Sequence, residues 1–200
     1  VGFESGKYSQ GTYAIAIGRS AGQNYQGQNT VSIGNNAGQY SQGTNAVAIG
    51  INAGNICQGQ NAVAIGPNSG VNSQGISAVA IGVESGKTYQ GTGALAVGNS
   101  SGQYSQGQNA VALGTNCGAF SQGNSAVSIG NQSGQYSQGQ FAVSVGRQSG
   151  QQSQGQYAIA IGYQSGQTLQ GAYSVAIGYQ ATATYANSIV LNATTGQLAS

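Results

Sequence analysis

“AVAIGPNSGVNSQGIS”, residues 62–77, is followed at once by “AVAIGVESGKTYQGTG”, residues 78–93. The two strings are one 16-residue frame written twice, and the frame runs from Gly2 to Tyr173 without insertion or deletion. With Ala14 counted as position 1, position 5 is Gly twelve times, from Gly2 to Gly178, and positions 9 and 14 are Gly eleven times each. Those three columns hold 34 of the 36 glycines. A flexible linker scatters its glycines; here each one marks a corner.

Positions 1–4 read small, large, small, large. Positions 2 and 4 are Val, Ile or Leu, as in Val63 and Ile65 or Leu95 and Val97, and positions 1 and 3 are mostly Ala or Ser. Alternation closed by Gly is a strand signal. No glycine-free stretch inside the frame is long enough for a helix. Each repeat therefore holds a short strand, a turn, and a second extended stretch such as “QYSQG”. That is one coil of a parallel β-solenoid, an all-β fold. About twelve coils stacked at ~4.8 Å predict a rod of roughly 55–60 Å. The first strand is apolar on both faces, as in strands buried on both sides. The large side chains are expected to fill each roll, so Ile65→Ala would cost ~2–5 kcal/mol as a core truncation. The Ala/Ser face then needs a cover, and another copy of the chain is the simplest one. Positions 6, 7, 10, 11, 15 and 16 vary and are expected to face outward.

Position 13 is Gln in every repeat: Gln10, Gln26, Gln42, Gln58, Gln74, Gln90, Gln106, Gln122, Gln138, Gln154 and Gln170. Stacked amides can hydrogen-bond to the copies above and below, so the column reads as a structural Gln ladder. Position 11 carries Tyr8, Tyr40, Tyr104, Phe120 and Tyr136. Tyr104, Phe120 and Tyr136 come from consecutive coils and are expected to form an outer aromatic row ~5 Å apart. Such a row is either a platform for a sugar or protein partner or a brace between coils. Asn99, Asn131 and Asn192 open N-x-S/T sequons and are candidate glycosylation acceptors.

Reactive groups are almost absent. The chain has no His and no Asp, and its only acids are Glu4 and Glu84. A Ser-His-Asp triad and a His-Cys metal cluster are excluded, so the chain reads as a non-enzyme without cofactor or metal. “GVESGKT”, residues 82–88, has three residues between Gly and Gly-Lys, one too few for a phosphate loop. Glu4/Lys7 and Glu84/Lys87 instead read as exposed local ion pairs, worth ~0–1 kcal/mol each. Cys57 and Cys117 are four coils apart, ~19 Å along the rod, so no intrachain disulfide joins them. Cys117 stands where other repeats have a small residue and reads as a Ser substitute. A net charge of +2 gives no footprint for nucleic acid. No run of ~18 apolar residues predicts membrane insertion, and no signal peptide is visible at Val1.

The strings “NAVAIG” (45–50 and 61–66) and “SVAIGYQATATYAN” (174–187) resemble the head repeats of trimeric autotransporter adhesins, the YadA-like family. The resemblance implies a left-handed parallel β-roll whose three chains pack side by side, displayed on a cell surface. The usual coil of that family is shorter, and an extra “QG” corner lengthens this one. Residues 174–187 fit the shorter form. The longer coil and the ending “NSIVLNATTGQLAS” (187–200) look more like fibres of phages and large DNA viruses. The expected organisation is a repeat β-roll over 1–187, then a terminal strand and the start of a following linker over 188–200. The expected function is attachment, as an extracellular or virion-surface adhesin head that meets a host glycan or matrix protein through its outer face. The alternatives are a passive filament or spacer and, less favoured, an ice-binding solenoid; irregular position 6 (Arg19, Asn35, Ile51, Pro67, Val83) argues against ice.

Overall fold

The computed structural model describes residues 1–192; the linker expected at the end of 188–200 lies largely outside them. Among the described residues there are strands and turns and no helix. The first strand of every coil joins one twelve-stranded parallel sheet, in chain order from Ile15–Ile17 to Ile189–Asn192. The register is the sequence frame itself: Val63 pairs with Val79, and Val79 with Leu95. The last step is shorter, because Val175 pairs with Ile189. The second stretch of each coil builds the opposite wall. Seven strands, Tyr8–Gln10 to Tyr104–Gln106, form its first part, and Ser137–Gln138 to Leu169–Gln170 form a second sheet of three. The bridges Gln106–Gln122–Gln138 join the two parts. The change has a local cause. In the first seven coils the residue at position 12 has a left-handed backbone, as at Ser105 (φ 47°). From Ser121 on it turns over, and the Ser121 amide bonds Tyr136 O at 3.0 Å.

Gly66 illustrates the corner after the first strand. Its φ is +119°, and a Cβ there would lie 2.7 Å from the carbonyl oxygen of Gly82 in the next coil. Any side chain at position 5 therefore fails twice, by conformation and by stacking.

The interior reverses the expected face assignment. Ala62, Ala64, Ala78 and Ala80 are fully buried, while Val63 and Ile65 are half-buried and Ile81 is exposed. The small residues line the inside of the coil and the large ones point out. The reason is the opposite wall, which sends Gln across the coil. Gln74 Nε2 donates to Val63 O at 2.7 Å and to Ala78 O at 3.2 Å. Gln90, Gln106, Gln122, Gln138, Gln154 and Gln170 make the same two bonds. The space left opposite is that of a methyl group: a Cβ on Gly70 would already lie 3.1 Å from the Ala64 Cβ. An inward Ile does not fit. Ile65→Ala is thus an outer-face change rather than a core truncation.

The glutamines stack in register, but direct amide-to-amide bonds occur at Gln42–Gln58 and Gln138–Gln154, both 3.1 Å. The main bonds run across the coil. The Oε1 atoms follow a simple rule. Where position 3 is Ser, its hydroxyl donates to the Gln of the same coil, as in Ser32–Gln42 (2.7 Å), Ser128–Gln138 (2.6 Å) and Ser144–Gln154 (2.6 Å). Where position 3 is Ala, the Oε1 of Gln26, Gln74, Gln90, Gln106, Gln122 and Gln170 has no donor; Gln58 is the exception, because it accepts from Gln42. At position 8 the buried Ser69 hydroxyl has no partner, whereas Ser85, Ser101, Ser133, Ser149 and Ser165 each donate to the position-3 carbonyl of the next coil, at 2.6–2.8 Å. Cys117 takes this place, with Sγ 2.9 Å from Ser128 O. Burial pushes its thiol up to about 12, so it stays protonated at neutral pH.

Ala80→Ser should place a hydroxyl within reach of the orphaned Gln90 Oε1 and stabilise the chain by ~0.5–1.5 kcal/mol. Thermal melting checks this, and a lower melting temperature would contradict the rule. Thiol titration of the native chain near pH 8 should label exposed Cys57 and spare Cys117, with both reacting after denaturation.

Candidate attachment surface

Turning the large side chains outward leaves a strip of two aliphatic columns, positions 2 and 4, along the whole twelve-stranded sheet. At ~4.8 Å per strand the strip is roughly 50 Å long. Position 16 forms one border and position 6 the other.

The opposite wall carries the row expected from the sequence. Tyr104 and Phe120 stack with centroids 5.5 Å apart, and Phe120 and Tyr136 at 5.1 Å with planes 6° from parallel. All three are exposed. Stacking covers both faces of Phe120, so the row shows ring edges and two phenol hydroxyls to the outside. Tyr8 and Tyr40 share the column, but their column neighbours are Asn24 and Ile56. Lys7 lies 5.0 Å from the Tyr8 ring centroid.

Two further ring ladders were missed by sequence reasoning. Phe141, Tyr157 and Tyr173, at position 16, stack at 4.9 and 5.0 Å. Tyr163 and Tyr179, at position 6, stack at 5.4 Å, and Arg147 lies 5.7 Å from the Tyr163 centroid. Outer amides do the same. Asn36, Asn52 and Asn68 form a ladder at 3.1 and 3.0 Å, and Asn29, Asn45 and Asn61 another at 3.2 and 3.0 Å. Gln132, Gln148, Gln164 and Gln180 continue position 7 at 2.8–3.1 Å. The signal was present: these columns change in blocks of like residues, because a residue repeated every 16 positions stacks on its own kind.

Both acids are consumed locally. Glu4 bonds Lys7 at 2.8 Å and Gln23 at 2.7 Å, and Glu84 bonds Lys87 at 2.9 Å and Gln103 at 2.5 Å. The Lys7 hydrogen bond holds Glu4 below its ordinary value, and the same bond raises Lys7 to about 12. Arg19 and Arg147 are left as the side-chain charges without an ionic partner among the described residues. Asn99 and Asn131 are exposed, but the hydroxyls of their sequon serines, Ser101 and Ser133, are buried and donate to Ala112 O and Ser144 O. Asn192 Nδ2 donates to Tyr179 O at 2.8 Å; the threonine of its sequon lies outside the described residues. Among the described residues no three of His, Cys, Asp or Glu gather into a metal site.

The family described as the YadA head domain repeat matches in two copies, at residues 58–85 and 170–191. The crystal structure of the collagen-binding domain of Yersinia adhesin YadA is similar at 19% identity, over 94% of this chain and 86% of that one, with a TM-score of 0.42. No curated protein matches the chain. The first match lies in the 16-residue coils and the second spans the shorter step from Val175 to Ile189: the chain is a β-solenoid in which these two stretches match YadA head repeats.

Proposed function

We propose that the chain is the head of an adhesin-type surface fibre, displayed outside a cell or on a virion, and that it attaches through the wall opposite the aliphatic strip. The YadA head repeats at 58–85 and 170–191 carry this reading. The chemistry is consistent with it: a chain without His or Asp is suited to presenting a surface rather than to turning over a substrate. The strip needs a cover, since an apolar face this long is not left to water. Further copies of the chain are that cover, three of them by the resemblance to trimeric adhesin heads.

The ring row favours a matrix protein over a glycan. Pyranose rings stack on open aromatic faces, and Phe120 has none to offer, being enclosed by Tyr104 and Tyr136. Ring edges and hydroxyls suit backbone carbonyls and polar side chains of a protein. The same enclosure is what a passive spacer would show, with rings serving only to brace neighbouring coils. Ice binding is disfavoured, because the outer columns hold blocks of Asn, Gln and aromatics rather than one regular hydroxyl array.

Sedimentation and surface binding to panels of matrix proteins and glycans test the proposal together. The wild-type chain should sediment as a trimer and bind a matrix protein. The triple variant Tyr104→Ser, Phe120→Ser, Tyr136→Ser should remain a trimer and lose that binding at least tenfold. A lowered melting temperature with attachment intact would make the row structural. A stable monomer would leave the strip without its cover, and failure of the wild type on every panel would favour the spacer.

A further inference from the structure

The borders of the strip vary together. Position 16 is aromatic in four of the coils, at Tyr13, Phe141, Tyr157 and Tyr173. On the same four rungs position 6 is Arg19, Arg147, Tyr163 and Tyr179. On the seven rungs between them position 16 is Asn, Ser or Gly, and position 6 is never Arg or Tyr. Aromatic on one border thus goes with Arg or Tyr on the other, rung by rung.

Contact within the chain does not account for this. The two positions are six residues apart on opposite sides of the strand, and extended chain separates them by up to ~20 Å. The ring contacts of the described residues run along each column, Phe141–Tyr157–Tyr173 and Arg147–Tyr163–Tyr179, and none crosses the strip. The position-16 rings also occupy a left-handed backbone, φ 59° at Phe141 and Tyr157, where Asn or Gly is the easier residue. The fold does without rings there on seven rungs, and stacking along the column, which Tyr13 lacks, offsets strain without explaining why the far border changes with the rings.

A rotation axis along the rod supplies the missing contact. With the strips facing such an axis, the position-16 border of each copy comes beside the position-6 border of the next, whether the ring has two members or three. Rungs of equal height then meet. We infer that across each boundary between copies the two borders pair rung by rung, with Tyr157 against Tyr163 of the next copy, Tyr173 against Tyr179, and the Arg147 and Arg19 guanidiniums against Phe141 and Tyr13. These are ring–ring and cation–π pairs, the contacts Tyr and Arg make at interfaces. The strip and its borders offer up to ~1,000 Å² per copy, against ~800 Å² in a standard stable interface. This rests on the reading that copies cover the strip, and it adds which columns touch and at what register.

Disulfide trapping tests it in the full chain with Cys57→Ser and Cys117→Ser. Tyr157→Cys combined with Tyr163→Cys should, on oxidation, give covalent multiples of the chain up to the size found by sedimentation. Cys at a left-handed position is compatible with the fold, since Cys57 has φ 55°. Phe141→Cys combined with Tyr179→Cys is the offset control. Its partners are two rungs apart, which adds ~9.6 Å to a bridge that spans at most ~7 Å between Cα atoms, and it should stay uncrosslinked. Equal trapping of both pairs would overturn the register. An oligomer in sedimentation without trapping of the first pair would overturn the column pairing and leave the shared strip intact. A monomer would overturn both.

Discussion

Each coil is as thick as one glutamine laid across it. The Gln74 amide starts on one wall and ends on two carbonyls of the other, Val63 O and Ala78 O. That span fixes the separation of the walls, and most other features follow. Residues facing the amide must be small, so Ala64 and Ala80 are inside. The aliphatic residues between them are turned out and become the strip. Gly at position 9 clears room for the carbonyl end of the same side chain: a Cβ on Gly70 would lie 2.9 Å from Gln74 Oε1. A buried amide left unbonded is expensive, whereas one bonded to backbone carbonyls rigidifies the coil.

Stacking in register makes every position a column, and columns prefer self-complementary residues. An amide both donates and accepts, so Asn stacks on Asn and Gln on Gln, while an aromatic face is matched by another ring. The cost of an aromatic at position 16 shows the balance. A strained left-handed residue costs of order 1 kcal/mol or more, and a stacked ring pair returns ~0.5–1.5 kcal/mol. Phe141, Tyr157 and Tyr173 form two such pairs, so the ladder roughly offsets its own strain. Tyr13 stands on the same backbone (φ 60°) without a stacked neighbour. In a repeat array, stability is a sum of coil terms and neighbour terms; here the neighbour terms dominate the outer surface.

The 16-residue frame, the corner glycines, the parallel pairing and the shorter coil at 174–187 were all legible in the sequence, because each is a matter of spacing. Which face is inside was not. Alternating Ala and Ile gives two distinct faces without stating which one the coil encloses, and the usual rule that large aliphatics fill cores pointed the wrong way. The competing claim came from the Gln column, read as bonding along the rod when its main bonds run across it. The row Tyr104–Phe120–Tyr136 was legible for the same reason as the frame, but the closure of the Phe120 faces needed ring orientation. Positions 6, 7 and 16 were expected only to face outward, because no single residue type fills them; blocks of like residues carried the information instead.

The inverted interior also ties the proposed function to assembly. A core of alanine methyls and amides buries little apolar area per coil, so hydrophobic burial inside one chain is modest. The largest reserve of apolar surface lies outside, in the Val/Ile strip. Covering that reserve with further copies stabilises the folded rod by mass action, and the opposite wall stays free to meet a partner. On the proposed function, attachment and stability draw on different faces of the same coil. The glutamine between them transmits no chemistry; it holds the two walls at a fixed distance, and a rigid rod needs nothing more from its interior.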